Sequence, residues 1–276
     1  MNRYFLIIAA LLCSLQVFSQ GDSITAMKKS KFSISLFGGM AVPVGKFSEF
    51  ETMNPNAQNG IKVYNDFSIA GAAGTGYFAG VDLIYSIGKK INLGISSDFS
   101  SCSAGTVGYP EMYEPKNVLG GNEFSYEAKN WSAINILLSP SVILRKKKWE
   151  LMVMLKGGVQ LATSPESKMM IETIAIDPFN GDDRSYLTYD QPALNDMALV
   201  YGGKLEGRYA ICKKVKLLLN GGYTTSNHSF SSGPDLKYEA KSIYLGVVNT
   251  RKYSIPINFN KKISLLHFGI GLNFSF

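Results

Sequence analysis

The chain has 276 residues, a formal net charge of +7, and 18% charged against 46% hydrophobic residues, less charge than the roughly 25% usual in soluble domains. Its 27 glycines and 12% aromatics fit a strand-rich protein. The positive charge forms no dense basic stripe and accompanies no zinc-ligand spacing, which argues against nucleic acid as a partner; the longest basic run, Arg145 to Lys148, reads as a turn.

Residues 1–19 have the layout of a secretory signal. Arg3 supplies the positive end, Tyr4 to Leu12 the apolar stretch, and Val17-Phe18-Ser19 a cleavage region before Gln20. That stretch is shorter than the roughly 20 residues of a spanning helix. Cys13 follows Leu12, which is not the small residue that a lipid-modified cysteine requires. Residues 20–30 then form a short periplasmic segment and 31–276 the folded body. Any bilayer crossing must come from strands.

The first predicted strand, about 31–42, puts Phe32, Ile34, Leu36, Met40 and Val42 on one face and Ser33, Ser35 and Gly39 on the other. The second and third, about 76–87 and 91–100, form a hairpin around Gly88-Lys89-Lys90. There Tyr77, Leu83, Tyr85, Ile91, Leu93, Ile95 and Phe99 oppose a face holding Asp82 and Asp98. The fourth, about 131–144, alternates Ile134, Ile136 and Leu138 with Asn135, Ser139 and Ser141. Pro140 donates no ladder bond, so a bulge is expected there. The fifth, about 149–162, alternates Trp149, Leu151, Val153 and Leu155 with Glu150, Met152, Met154 and Lys156. The sixth, about 198–211, places Lys204, Glu206 and Arg208 opposite Leu199, Tyr201, Leu205 and Tyr209. The seventh, about 215–226, sets Lys216, Asn220 and Thr224 against Val215, Leu217, Leu219 and Tyr223. The eighth, about 263–276, carries Phe268, Ile270, Leu272, Phe274 and Phe276 at every second position up to the last residue.

Eight strands of about 11–14 residues suit a tilted bilayer crossing. Three connections are short and four are long, at about 43–75, 103–130, 163–197 and 227–262. That asymmetry predicts an all-β, eight-stranded, antiparallel up-and-down barrel with periplasmic turns and extracellular loops. Lys261-Lys262 resembles the other lysine turns, and 242–258 contains short alternating runs. The preferred reading is a β-extension within the fourth long loop, with ten strands as the alternative. Tyr77, Tyr85, Trp131, Trp149, Tyr201, Tyr209 and Tyr223 are candidates for the interfacial girdles. Cys102 and Cys212 fall near opposite barrel ends, separated by roughly 25 Å on a rise of ~3.3 Å per residue. A disulfide needs Cα atoms within about 7 Å, so two free thiols are expected.

The signal followed by Gln20, the four-hairpin layout and the terminal alternation ending in Phe276 give the chain a family resemblance. It resembles small outer-membrane β-barrel proteins, OmpA- and OmpX-like in size, and especially the PorT-like barrels common in Bacteroidetes. The resemblance spans nearly the whole chain after the signal. It implies insertion into the outer membrane of a Gram-negative bacterium. It also implies that Phe268, Ile270, Leu272, Phe274 and Phe276 serve as the signal for the barrel-assembly machinery. Members range from structural proteins to secretion components, so it does not assign an activity.

On the inward face, Asp82, Asp98, Glu150 and Glu206 balance Lys156, Lys204, Arg208 and Lys216. An eight-stranded barrel is just wide enough for its own side chains, so these charges read as an ion-pair network filling the lumen. A narrow pore or proton path is the functional alternative. Gly74-Thr75-Gly76-Tyr77-Phe78-Ala79 loosely matches a dinucleotide fingerprint, but a strand follows where a helix belongs. His267 points inward as a lumen partner. His228, with Ser229 and Ser231, is the candidate for lipid hydrolysis, although its spacing does not match such sites well. Asp177 to Asp183 clusters oxygen ligands without the EF-hand spacing. Tyr109, Tyr113, Phe124, Tyr126, Tyr186 and Tyr189 pack the loops or form a contact surface.

The expectation is a non-enzymatic outer-membrane barrel with a filled lumen and no cofactor, in contact with membrane lipids. Its long loops would serve a structural role or meet a protein or glycan partner. The alternatives are a small transport or secretion-accessory channel, a lipid-modifying enzyme, and a secreted lipocalin-type barrel with its apolar face inward.

Overall fold

A strand with one apolar and one polar face leaves no backbone group bare in hydrocarbon only if its sheet closes on itself. The computed structural model describes residues 31–48, 73–88, 90–104, 122–177, 181–231, 236–244, 247–255 and 258–276, so the signal and the 20–30 segment lie outside the described residues. In chain order the strands are β1 (Phe32–Pro43), β2 (Ala73–Ser86), β3 (Ile91–Ala104), β4 (Asn122–Ala128), β5 (Trp131–Lys146), β6 (Trp149–Thr163), β7 (Ser167–Asp177), β8 (Gly181–Gln191), β9 (Asn195–Ala210), β10 (Val215–Ser231), β11 (Leu236–Tyr244), β12 (Val247–Ile255) and β13 (Asn258–Ser275). A short 3₁₀ turn, Gly45–Phe47, follows β1.

Eight of these strands close a barrel in the order β1-β13-β10-β9-β6-β5-β3-β2. The closing seam pairs Ser33 with Ser275 and runs antiparallel to Pro43 with Leu265. Sharp local coiling in so small a barrel brings backbones close on the lumen face. A Cβ on Gly271 would lie 2.0 Å from the Leu36 carbonyl oxygen, and one on Gly39 2.1 Å from that of Phe268, so neither position admits a side chain. The β5–β6 turn places Lys147 at φ 55°, the left-handed geometry that tight hairpins use.

The apolar rows face outward. Leu36, Ile95, Ile136, Leu155, Leu199 and Ile270 are exposed, while Asp82, Asp98, Lys204, Glu206 and Arg208 are buried. This orientation overturns the lipocalin-type alternative, in which the apolar rows would line the interior. Of the girdle candidates, Tyr77, Tyr85, Trp149, Tyr201 and Tyr223 are exposed on the outer surface, and the ring of Tyr209 packs 4.8 Å from that of Trp149. Trp131 corrects the expectation. It is 2% exposed because it shares the inward parity of Ala133 and Asn135. No bulge forms at Pro140: β5 keeps one register with β3 through Leu93–Pro140, and the β5–β6 ladder omits Ser139 and Pro140 before resuming. The missing N–H removes a ladder bond without inserting a residue. Cys102 and Cys212 are both free, buried and exposed respectively.

The second, third and fourth long loops are not simple loops. Their strands form a five-stranded sheet in the order β12-β11-β8-β7-β4. That order repeats the neighbouring barrel strands β13-β10-β9-β6-β5. The β4–β7 ladder pairs Ala128 with Ser167, in the register that pairs Ser132 with Thr163 between β5 and β6. Likewise Ser167–Gln191 continues the register of Thr163–Asn195. The second sheet is therefore the prolongation of five barrel strands past the rim. The preferred reading of the fourth long loop holds, in β11 and β12, and the ten-stranded barrel does not.

Candidate functional site

Among the described residues, the lumen is where this fold gathers chemistry-bearing side chains in a defined arrangement. Period-two alternation sends charged and amide groups inward from every second position, and the narrow interior forces them into contact.

At the turn end, Lys216 Nζ donates to Glu150 Oε2 at 2.8 Å and Arg145 Nε to Glu150 Oε1 at 3.0 Å. Above them, Lys204 Nζ lies 2.6 Å from Asp82 Oδ2 and 2.8 Å from Glu206 Oε2, and Arg208 Nε lies 2.5 Å from Glu206 Oε1. The Lys204 ammonium also sits 3.7 Å over the Phe37 ring, a favourable place for a desolvated cation. Lys156 Nζ stands 3.6 Å from Asp98 Oδ2. The eight sequence-selected lumen residues thus fall into three clusters: Glu150 with Lys216; Asp82, Lys204, Glu206 and Arg208; and Asp98 with Lys156. Arg145, read from the sequence as turn, joins the first.

From Asp98 an amide relay climbs toward the long-loop end. Asn135 Nδ2 donates to Asp98 Oδ1 at 2.5 Å, and Gln160 Nε2 donates to Asn135 Oδ1 at 2.8 Å. Gln160 Oε1 accepts from Ser226 Oγ at 2.5 Å and lies 2.9 Å from His228 Nε2. His228 Nδ1 faces Asp196 Oδ2 at 2.9 Å. His228 is therefore a lumen residue, joined to Ser226 and Asp196 rather than to Ser229 and Ser231.

Ser226 Oγ is 3.1 Å from His228 Nε2, so serine, histidine and aspartate stand in the sequence of a nucleophilic relay. Such a relay needs the serine proton directed at the imidazole and the oxygen open to substrate. Here the hydroxyl donates to Gln160 and Ser226 is 1% exposed. The arrangement is that of a packed polar network.

An apolar layer lies over this relay. The Trp131 ring packs 5.4 Å from Phe47 and 5.8 Å from Phe230, and Phe230 stacks 5.0 Å from Phe259 and 5.5 Å from His228. Ala41, Leu194, Ile263 and Leu265 belong to the same buried cluster. Sequence reading missed this cap because it assigned Trp131 to the lipid side and left Phe47 and Phe230 in the first and fourth long loops. The parity of Trp131 and Phe230 was the available signal.

Other candidates resolve less. Gly74 to Ala79 lies within β2, not at the start of a helix. His267 faces inward, its ring 4.8 Å from Phe78. Among the described residues, no group of three His, Cys, Asp or Glu is placed to hold a metal. Of the Asp177–Asp183 segment, 178–180 lie outside the described residues, as do Tyr109 and Tyr113. The side chains of Asp177 and Gly181 to Asp183, and those of Phe124, Tyr126 and Tyr189, lie outside the described set. The assembly-signal candidates form the outward row of β13, which Phe276 continues one residue past the strand. Phe268, Ile270, Leu272 and Phe276 are exposed and Phe274 is half-buried.

No family model matches the chain, and no curated protein matches it. Among solved structures it is similar to a major outer membrane protein from Thermus thermophilus, at 11% identity over 90% of this chain and 100% of that one, with a TM-score of 0.36. It is similar to an outer membrane channel from Pseudomonas putida, at 12% identity over 93% and 100% of the two chains, TM-score 0.27. The P. putida toluene transporter TodX is similar at 10% identity over 90% and 80%, TM-score 0.22. TM-scores below 0.5 carry no argument about role, so the functional reading rests on the faces of the barrel itself.

Proposed function

We propose that this protein is a bacterial outer-membrane β-barrel with a side-chain-filled lumen, working through the sheet it raises beyond the membrane. Its role is structural, or it is contact with a protein or glycan partner at the cell surface. The observation that carries this reading is the doubly closed interior: ion pairs fill the barrel's middle, and the Trp131–Phe47–Phe230 cluster covers its loop end. A continuous apolar exterior supports a bilayer location. The signal-like residues 1–19 and the outward row from Phe268 to Phe276 support export and delivery by the barrel-assembly machinery. The kinship with PorT-like barrels and a source among the Bacteroidetes belong to the same proposal.

The strands of the extension differ in charge. Acids dominate β4, β7 and β8, with Glu123, Glu127, Glu172, Asp177, Asp182, Asp183 and Asp190 against Lys168 and Arg184. Bases dominate β11 and β12, with Lys237, Lys241, Arg251 and Lys252 against Glu239. Neither cofactor nor catalysis enters this role.

Liposome conductance separates the filled barrel from the channel alternative. Purified protein in liposomes is expected to pass no steady ion current and no small sugar. A steady current overturns the filled-lumen reading in favour of transport.

A further inference from the structure

A small cavity lies between the lysine clusters. Asp98, Lys156, Lys204, Asn220, Thr224 and His267 all line this lumenal cavity of about 10 Å³, the room that one water-sized body takes. Three of these residues carry a buried polar atom with no protein partner: Asn220 Nδ2, Thr224 Oγ1 and His267 Nε2. Asn220 is 8%, Thr224 3% and His267 6% exposed, so bulk solvent does not satisfy them. They come from only two strands, Asn220 and Thr224 from β10 and His267 from β13, where Gly222 pairs with His267. Gly222 lines the same cavity.

Buried polar groups are nearly always hydrogen-bonded to protein or to ordered water. Three lone groups sharing one solvent-sized cavity are therefore not three independent defects. We propose that this cavity is a binding site for a single water molecule, which completes the lumen filling. The chemistry of the lining selects water over an anion. Asn220 Nδ2 and the Lys156 and Lys204 ammoniums donate, Thr224 Oγ1 accepts or donates, and the Asp98 carboxylate accepts. Water uses both kinds of partner. A halide would use the donors but meet the Asp98 charge, and it has no proton to donate to that carboxylate. The bound water links the Asp98–Lys156 pair to the Asp82–Lys204–Glu206 cluster, making one polar column of two.

The test is a crystal structure of the detergent-extracted barrel grown in sodium bromide, at a resolution that shows ordered water. The expected result is one peak without anomalous signal, within hydrogen-bond reach of Asn220 Nδ2, Thr224 Oγ1 and His267 Nε2. An anomalous peak there makes the ligand a halide and overturns the proposal. An empty cavity, or one that takes up xenon under pressure, overturns it as well. In Asn220→Leu/Thr224→Val the peak should vanish while the Lys204–Asp82 contact remains, and a peak that persists shows that these groups do not hold it. Should that variant not fold, the parent crystals decide alone.

Discussion

Removing the Lys204 ammonium tests the packed lumen directly. Its Nζ is 2.6 Å from Asp82 Oδ2 and 2.8 Å from Glu206 Oε2, and both acids are at most 1% exposed. In Lys204→Met, Glu206 keeps Arg208 at 2.5 Å, but Asp82 loses the cation that holds it at ion-pair distance. An uncompensated buried charge costs ~3–5 kcal/mol. The carboxylate escapes that cost only by taking up a proton. At pH 7, roughly three units above the ordinary aspartate value, this costs about 4 kcal/mol at 1.36 kcal/mol per unit. The two routes agree, so the expected loss is about 4 kcal/mol. Protonation becomes cheaper as pH falls, and at pH 5 the loss should shrink by about 2.7 kcal/mol. Urea unfolding in lipid bilayers, followed by fluorescence of Trp131 and Trp149, measures both values. Lys204→Met combined with Asp82→Leu removes both charges and should recover most of the stability, because an apolar pair of similar volume replaces a buried ion pair at little cost. A loss under about 1 kcal/mol for Lys204→Met alone at pH 7 would mean that Asp82 is solvated, and the packed lumen would have to be abandoned.

Two further outcomes follow from the faces of the strands. Leu155 is 67% exposed near the middle of β6, so Leu155→Arg should cost ~2–4 kcal/mol in a bilayer. Asn227→Arg, outward on β10 beyond the apolar rows, should stay within ~0.5 kcal/mol; equal effects at the two sites, read by the same unfolding assay, contradict the placement of the hydrocarbon. In folded protein a maleimide should label Cys212, exposed in the β9–β10 turn, and spare buried Cys102 until urea unfolds the barrel. Labelling of both thiols at similar rates shows that the upper lumen is open.

Alternation made the eight crossings legible, because hydrocarbon outside and charge inside impose opposite demands on successive residues. The same rule, followed strictly, places Trp131 with Asn135 and Leu137 on the lumen face. It failed there only because the expectation of an aromatic girdle overrode parity. Phe37 and Phe78 were overlooked for a related reason: an inward aromatic contributes nothing to the apolar outer row, yet Phe37 is where the Lys204 charge rests. The contacts between clusters were not legible at all. Asp82 and Lys204 are 122 residues apart, and only barrel closure brings them together. The prolongation past the rim did leave a sequence trace. Pro165, Pro192, Pro234 and Pro256 lie between β6 and β7, β8 and β9, β10 and β11, and β12 and β13. Proline cannot donate to a ladder, so these residues punctuate four of the five passages from barrel to extension.

The solvent, rather than the ladder, decides where the membrane ends. On β10 the outward row Val215, Leu217, Leu219, Gly221 and Tyr223 is small or apolar; Asn227, Ser229 and Ser231 follow, all exposed. On the paired β13, Phe268 and Ile270 give way to Lys262, Asn260 and Asn258. Val215 to Tyr223 covers about 20 Å at ~3.3 Å per residue and a tilt near 40°, within the roughly 25 Å apolar band of such barrels. Yet the β10–β13 pairing runs unbroken to Ser231 with Asn258, about 20 Å further on the same rise. Inside, the change of layer follows the change of solvent. The ion pairs lie within the belt, the apolar cap of Trp131 and Phe230 lies at its outer limit, and beyond it the strands need no lumen. On the filled-lumen reading proposed above, strands that outrun the membrane while their interior is already closed do not serve as the wall of a pore. Their length is explained by what they raise above the surface, the five-stranded sheet.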